Sequence, residues 1–115
     1  MGVSAYQRTS QVAEAPRTTE HRLLAQVTSA MVSAHAKGVK GVALVDLLHW
    51  NREIWSTFGS ACVDSANRLP PELRASIISL SLWVDRYSSD IIAGQGDLEE
   101  LIGINRLIME GLSAN

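Results

Sequence analysis

Three histidines (His21, His35 and His49) and one cysteine (Cys62) are the candidates for metal or nucleophile chemistry in this chain. His49 and Glu53 stand four residues apart, a spacing that puts two ligands on one helix face. No third ligand follows nearby and no His-Glu-x-x-His pattern occurs, so the pair reads as a solvated couple on a helix flank. His21 and His35 fall beside the apolar stripe of their helix and are expected to face water. Cys62 continues an apolar stripe close to Phe58, which suits a small core residue better than a nucleophile with an adjacent base. The glycine pairs at 38 and 41 and at 94 and 96 lack the contexts that make phosphate-binding loops. Trp50, Trp55 and Trp83 stand in a chain without a basic field, so core packing explains them better than base stacking. No catalytic residue, metal site or cofactor is expected, and the chain does not read as an enzyme.

The elements that would carry these residues are helical. The chain has 115 residues, 46% of them apolar, with 10 Lys+Arg against 12 Asp+Glu for a net charge of −2. That length suits one domain with one core, and that apolar share excludes intrinsic disorder. The slightly acidic balance argues against nonspecific binding to nucleic acid or a membrane surface. A single cysteine allows no internal disulfide. Met1 to Arg8 contains no apolar h-region, and the longest apolar run, Ile77 to Val84, is broken by two serines, far short of the roughly 20 residues of a membrane span. A cytoplasmic, soluble protein is expected.

The chain divides into an arm over residues 1–15, with Tyr6 and Val12 as its main apolar groups, and a helical bundle over 16–112. The first helix runs from about Arg17 to Lys37 on Leu23, Val27, Ala30, Met31 and Ala34, and Gly38 ends it. The second runs from about Val42 to Ser60 or slightly beyond on Leu44, Leu47, Leu48, Ile54, Trp55, Phe58 and Cys62, with Gly59 weakening its last turn. Pro70-Pro71 opens the third, which reaches about Ala93 on Leu73, Ile77, Leu80, Val84, Tyr87 and Ile91, with Trp83 on the flank. Asp97 followed by Glu100 resembles a capping box for the fourth, which runs to about Leu112 on Leu98, Leu101, Ile102, Ile108, Met109 and Leu112. The fold class is therefore all-α, a small antiparallel bundle of about four helices with an N-terminal arm, since short turns favour antiparallel neighbours.

Two features exceed what such a bundle requires. Asn51 and Asn105 fall inside the stripes of the second and fourth helices, within a shared pattern of apolar-Asn-Arg-x-Ile-apolar. A buried asparagine must be hydrogen-bonded; this pair either fixes helix register, contacts a partner helix, or is simply exposed. The third helix is also apolar beyond one stripe. Ile78 and Leu82 lie roughly opposite its main face and Ile92 between the faces. Leu107 points away from the core of the fourth helix, and Trp50 sits at the edge of the second helix's stripe. Such a surface belongs either to a central helix or to a groove for an amphipathic partner helix.

Five blocks in order carry a resemblance to a known family. They are Ser4-Ala5-Tyr6-Gln7, Pro16-Arg17-x-x-Glu20-x-Arg22-Leu23, Leu48-His49-Trp50-Asn51-Arg52-Glu53-Ile54-Trp55, the stretch from Leu69-Pro70 to Trp83-Val84, and Ile104-Asn105-Arg106-Leu107-Ile108-Met109-x-Gly111-Leu112. Together they resemble the flagellar biosynthesis regulator FlaF over residues 3–112. The resemblance implies a small cytoplasmic helical protein of flagellated bacteria that supports flagellin production and secretion as a flagellin-binding export chaperone, beside a separate regulator of flagellin messenger RNA.

On that footing the expected partner is flagellin, an amphipathic segment of which would lie in a helical groove. Helical angles, rather than the family motif, single out Trp50, Ile54, Ile78, Leu82 and Leu107 as apolar anchors, with Arg52, Arg86 and Arg106 on the rim. Replacing Ile78 and Leu82 by Asp or Lys should then abolish co-purification with flagellin while unfolding stays cooperative. An adaptor acting through other flagellar regulators stays open, as does a homodimer that masks the groove until a client arrives. A post-transcriptional regulator touching flagellin mRNA directly is the remaining alternative, and the net charge of −2 speaks against it.

Overall fold

Prolines and glycines punctuate this chain into four helices. The computed structural model describes residues 16–114, with side chains from residue 19 onward. The expected arm over 1–15 lies outside the described residues. Helix α1 spans Pro16–Lys37, α2 Val42–Val63, α3 Pro71–Ile92 and α4 Leu98–Ser113. No strand occurs among the described residues. The chain is therefore a small all-α bundle, and the helix boundaries fall close to those that the periodicity predicts.

The stops have a clear chemical cause. Gly38 and Gly94 both adopt positive φ, of 64° and 85°. Each lets the chain fold back so that the next N–H reaches a carbonyl five residues earlier. Val39 N donates to Ala34 O at 3.0 Å, and Gln95 N donates to Asp90 O at 2.7 Å. These bonds satisfy carbonyls that a helix end leaves without partners.

Asp97 caps α4 as expected, but not as a capping box. Its carboxylate accepts from Glu99 N at 3.0 Å. The cap residue's own N–H, which Glu100 would have taken, donates instead to the Tyr87 hydroxyl of α3 at 2.9 Å. A tertiary contact thus replaces the local one.

Contacts between helices set the topology. His21 lies beside Ser113, Thr28 bonds Asn105, and His35 faces Asp97 and Glu99, so α1 and α4 run antiparallel. Arg52 bonds Asp85, and Arg74 Nε donates to Cys62 O, so α2 and α3 run antiparallel. Tyr87 meets the start of α4 and Leu73 meets Gly111 near its end, which makes α3 and α4 antiparallel too.

One core joins the four helices. Leu24, Val27, Met31, Leu48, Trp55, Cys62, Ile77, Val84 and Leu101 are wholly buried, and Phe58 is nearly so. Val27, Met31 and Ala34 of the expected α1 stripe are buried, but Leu24 and Thr28 take the places of Leu23 and Ala30. Leu24 is buried and Leu23 only half-buried, because the face toward α2 and α4 runs through Leu24, Val27, Thr28, Met31 and Ala34. His21, expected in water, is half-buried against α4, whereas His35 is exposed.

Gly59 does not end α2. The helix continues to Val63, and Gly59 is buried against α3. A Cβ there would lie 2.5 Å from Ser81 Oγ and 2.8 Å from Ser81 Cβ. The glycine leaves the room that the Ser81 side chain of α3 takes up at this close helix approach, a reason that helix propensity alone does not reveal.

Candidate partner-binding site

The two asparagines meet at the centre of the bundle. Asn105 Nδ2 donates to Asn51 Oδ1 at 2.9 Å and to Thr28 Oγ1 at 3.0 Å. Its Oδ1 accepts from the indole N–H of Trp55 at 2.8 Å. Asn51, Asn105 and Trp55 are all wholly buried. One amide on α4 therefore ties α1, α2 and α4 together. Asn51 Nδ2 is buried without a partner, so Asn51 receives one bond while Asn105 makes three. The pair faces inward and fixes register; it is not a surface for a partner.

The single cysteine is chemically quiet. Burial, followed by the negative charge of Glu20, pushes the Cys62 thiol up from 9.0 to about 11, against a smaller lowering effect of Arg74. A thiol held in that state is a poor nucleophile at neutral pH.

Among the described residues, one group of three ligating side chains comes together: His35, Asp97 and Glu99, all exposed. The sequence reading missed it because His35 is far from the other two along the chain. Asp97 already caps α4, and each carboxylate lies nearest a different ring nitrogen of His35, at 3.7 and 3.4 Å. The His49–Glu53 pair is a solvated contact of 3.0 Å on the flank of α2.

The eight residues expected at a partner surface do not share one face. Leu82 stands on the outside of α3, 65% exposed, with Arg86 exposed one turn on. Ile78 is half-buried and packs against the core. Arg52 reaches across from α2 and donates from Nε at 3.1 Å and Nη2 at 2.7 Å to Asp85 Oδ1. Arg52, Ile78, Leu82 and Arg86 therefore lie along the outer side of the α2–α3 pair.

Trp50 and Ile54 lie elsewhere. Residues two positions apart on a helix are separated by about 200°. Since Arg52 faces α3, Trp50 and Ile54 turn toward the opposite flank of α2. Trp50 is 38% exposed, and Ile54 packs against the core.

Arg106 lines a third place, an open depression of about 590 Å³ between α1 and α4, together with His21, Met109, Glu110, Ser113 and Ala114. Leu107 is 58% exposed on the side of α4 away from its buried stripe.

Leu80, expected in the core stripe, Trp83, expected on the flank, and Ile104, assigned to no face, lie along the α3–α4 seam beside Leu107. The α3–α4 seam is the loosest of the four between neighbouring helices. Tyr87 meets Gly96 and Asp97 at one end of it, and Leu73 meets Gly111 at the other. Between those ends Leu80 and Trp83 of α3 and Ile104 of α4 are only half-buried. Trp83 stacks on Tyr87 with ring centroids 4.6 Å apart and planes 11° from parallel. The spacing of Trp83 and Tyr87, four residues apart, was visible in the sequence. The looseness of the seam beside them was not.

No helix among the described residues is long and apolar enough to cross a membrane. A family model for the flagellar protein FlaF matches residues 3–112. No curated protein matches the chain, and no solved structure does.

Proposed function

The chain belongs to the flagellar protein FlaF family, and from that premise we propose that it is a non-enzymatic, cytoplasmic flagellin-binding chaperone that regulates flagellin synthesis and secretion. Flagellum biogenesis follows from the family itself. Flagellin as the bound partner is the finer step.

The observation that carries it is apolar surface left outside a complete core. Leu82, Leu107, Trp50 and Ile92 stay exposed although ten other large side chains, among them Trp55 and Leu24, reach full or nearly full burial. Exposed apolar groups on a small helical protein suit recognition of an amphipathic helix. A client released at export needs only moderate affinity, and scattered anchors with polar surroundings supply that.

The test is a light-scattering mass with and without purified flagellin. A mass equal to one copy of each protein supports the reading. Two unchanged masses at 10 µM of each partner (on the order of a moderate Kd) sink it.

A further inference from the structure

We propose that the furrow between α3 and α4 is the docking site, and that its occupant is an amphipathic helix whose apolar stripe is flanked by Lys and Arg. This rests on the reading above only in taking the client to be helical.

The furrow is built by what holds it open. Tyr87 with Asp97 closes one end, and Leu73 with Gly111 closes the other. The register set by those pairs puts Leu80 across from Ile104, with Trp83 and Leu107 on opposite rims. Leu73 and Tyr87 are 14 residues apart, about 21 Å of helix, or roughly four turns. A client of similar length would cover Leu80, Trp83, Ile104 and Leu107 together. The small residues Ser76, Ser79 and Gly103 beside them let a visiting backbone come close. The outer face of α3 offers less, because its exposed Leu82 stands among Asp85, Arg86 and Ser89.

Charge selects the occupant. Glu72 and Asp90 lie in line with Trp83 along α3, and Glu100 lies two turns from Leu107 on the same side of α4. All three are exposed. Among the described residues of α3 and α4, the cation beside these rims is Arg86, since Arg74 bonds to the end of α2 and Arg106 lines the depression against α1. Three carboxylates against one guanidinium favour a helix with basic flanks. Such rim charges act mainly on encounter rate and choice of partner, and salt screens them.

The experiment uses the full chain and two synthetic 18-residue amphipathic helices with the same leucine stripe, one flanked by Lys and one by Glu. Fluorescence anisotropy at low and high salt reads their binding, and purified flagellin is run in parallel. The Lys-flanked peptide should bind at least tenfold tighter at low salt, with the gap narrowing at high salt. Leu107→Asp should weaken that peptide and flagellin at least tenfold, while Val42→Asp, at the exposed start of α2, changes neither. Replacing Glu72, Asp90 and Glu100 by Gln should remove the preference without disturbing the fold.

Equal binding of the two peptides overturns the proposal, as does undiminished binding by Leu107→Asp. Failure of both peptides to bind also overturns it. If the chain proves dimeric and Leu107→Asp makes it monomeric, a second copy is the occupant and the proposal fails. Binding of the Lys-flanked peptide without flagellin keeps the furrow and removes the flagellin reading. Flagellin binding that Leu107→Asp leaves intact does the reverse.

Discussion

Replacing Asn105 by Ala should cost far more stability than replacing Asn51 by Ala, although both side chains are wholly buried. The difference follows from how their bonds are shared. Asn105 Oδ1 is the acceptor for Trp55 Nε1, a group that can only donate. Asn105 Nδ2 is the donor to Asn51 Oδ1 and to Thr28 Oγ1. Its removal leaves the indole N–H and the Asn51 carbonyl buried and unbonded. The Thr28 hydroxyl can turn to a carbonyl of its own helix and suffers least. Each orphaned group costs about 1–3 kcal/mol, so Asn105→Ala should lose about 2–6 kcal/mol, beyond the cavity it opens. For a domain whose whole stability is about 5–15 kcal/mol, that is a large fraction. Asn51→Ala removes an amide nitrogen that has no partner now, and it orphans only one of the two hydrogens on Asn105 Nδ2. Its polar cost should be no more than about 1–2 kcal/mol, with a similar cavity contribution. Urea unfolding followed by circular dichroism reads both. With a slope of about 1.5 kcal/mol/M, Asn105→Ala should move the midpoint down by roughly 1–4 M. Equal losses, or a larger loss for Asn51→Ala, would refute the view that Asn105 is the hub. So would an Asn105→Leu variant as stable as the parent.

Three further outcomes follow from the packing. Gly59→Ala should lower the melting temperature despite the roughly 1 kcal/mol gain in helix propensity, because its methyl would collide with Ser81; adding Ser81→Gly should restore it. Tyr87→Phe and Asp97→Ala should each cost about 1 kcal/mol, the first by unbonding Asp97 N and the second by uncapping α4, read as shifts in the urea midpoint. Cys62 should react with a thiol reagent at pH 8 only as fast as the chain opens, and much faster in denaturant. Because its folded value of about 11 exceeds 9.0, the unfolded chain releases its proton first as pH rises. The stability that Cys62 contributes is therefore complete below pH 9 and declines from 9 to 11, and Cys62→Ala should flatten that decline.

Local chemistry made much of this protein legible in the sequence. Helical stripes repeat every three or four residues, and glycine and proline stop and start helices through their own backbone preferences. Four helices, their approximate ends, the Asp97 cap and the inward positions of Asn51 and Asn105 all follow from such short-range rules. Which helix faces which is a different kind of question. Gly59 looked like a weak last turn until α3 was placed against it. Glu100 looked like half of a capping box until the Tyr87 hydroxyl arrived from another helix. Leu23 gave way to Leu24 because the side of α1 that is covered depends on where α2 and α4 lie. Helical periodicity repeats every 3.6 residues and is blind to crossing and register. Those are decided by how all four surfaces interlock, and with them the wiring of the asparagine hub, the separate faces of Trp50 and Leu82, and the furrow beside Leu107.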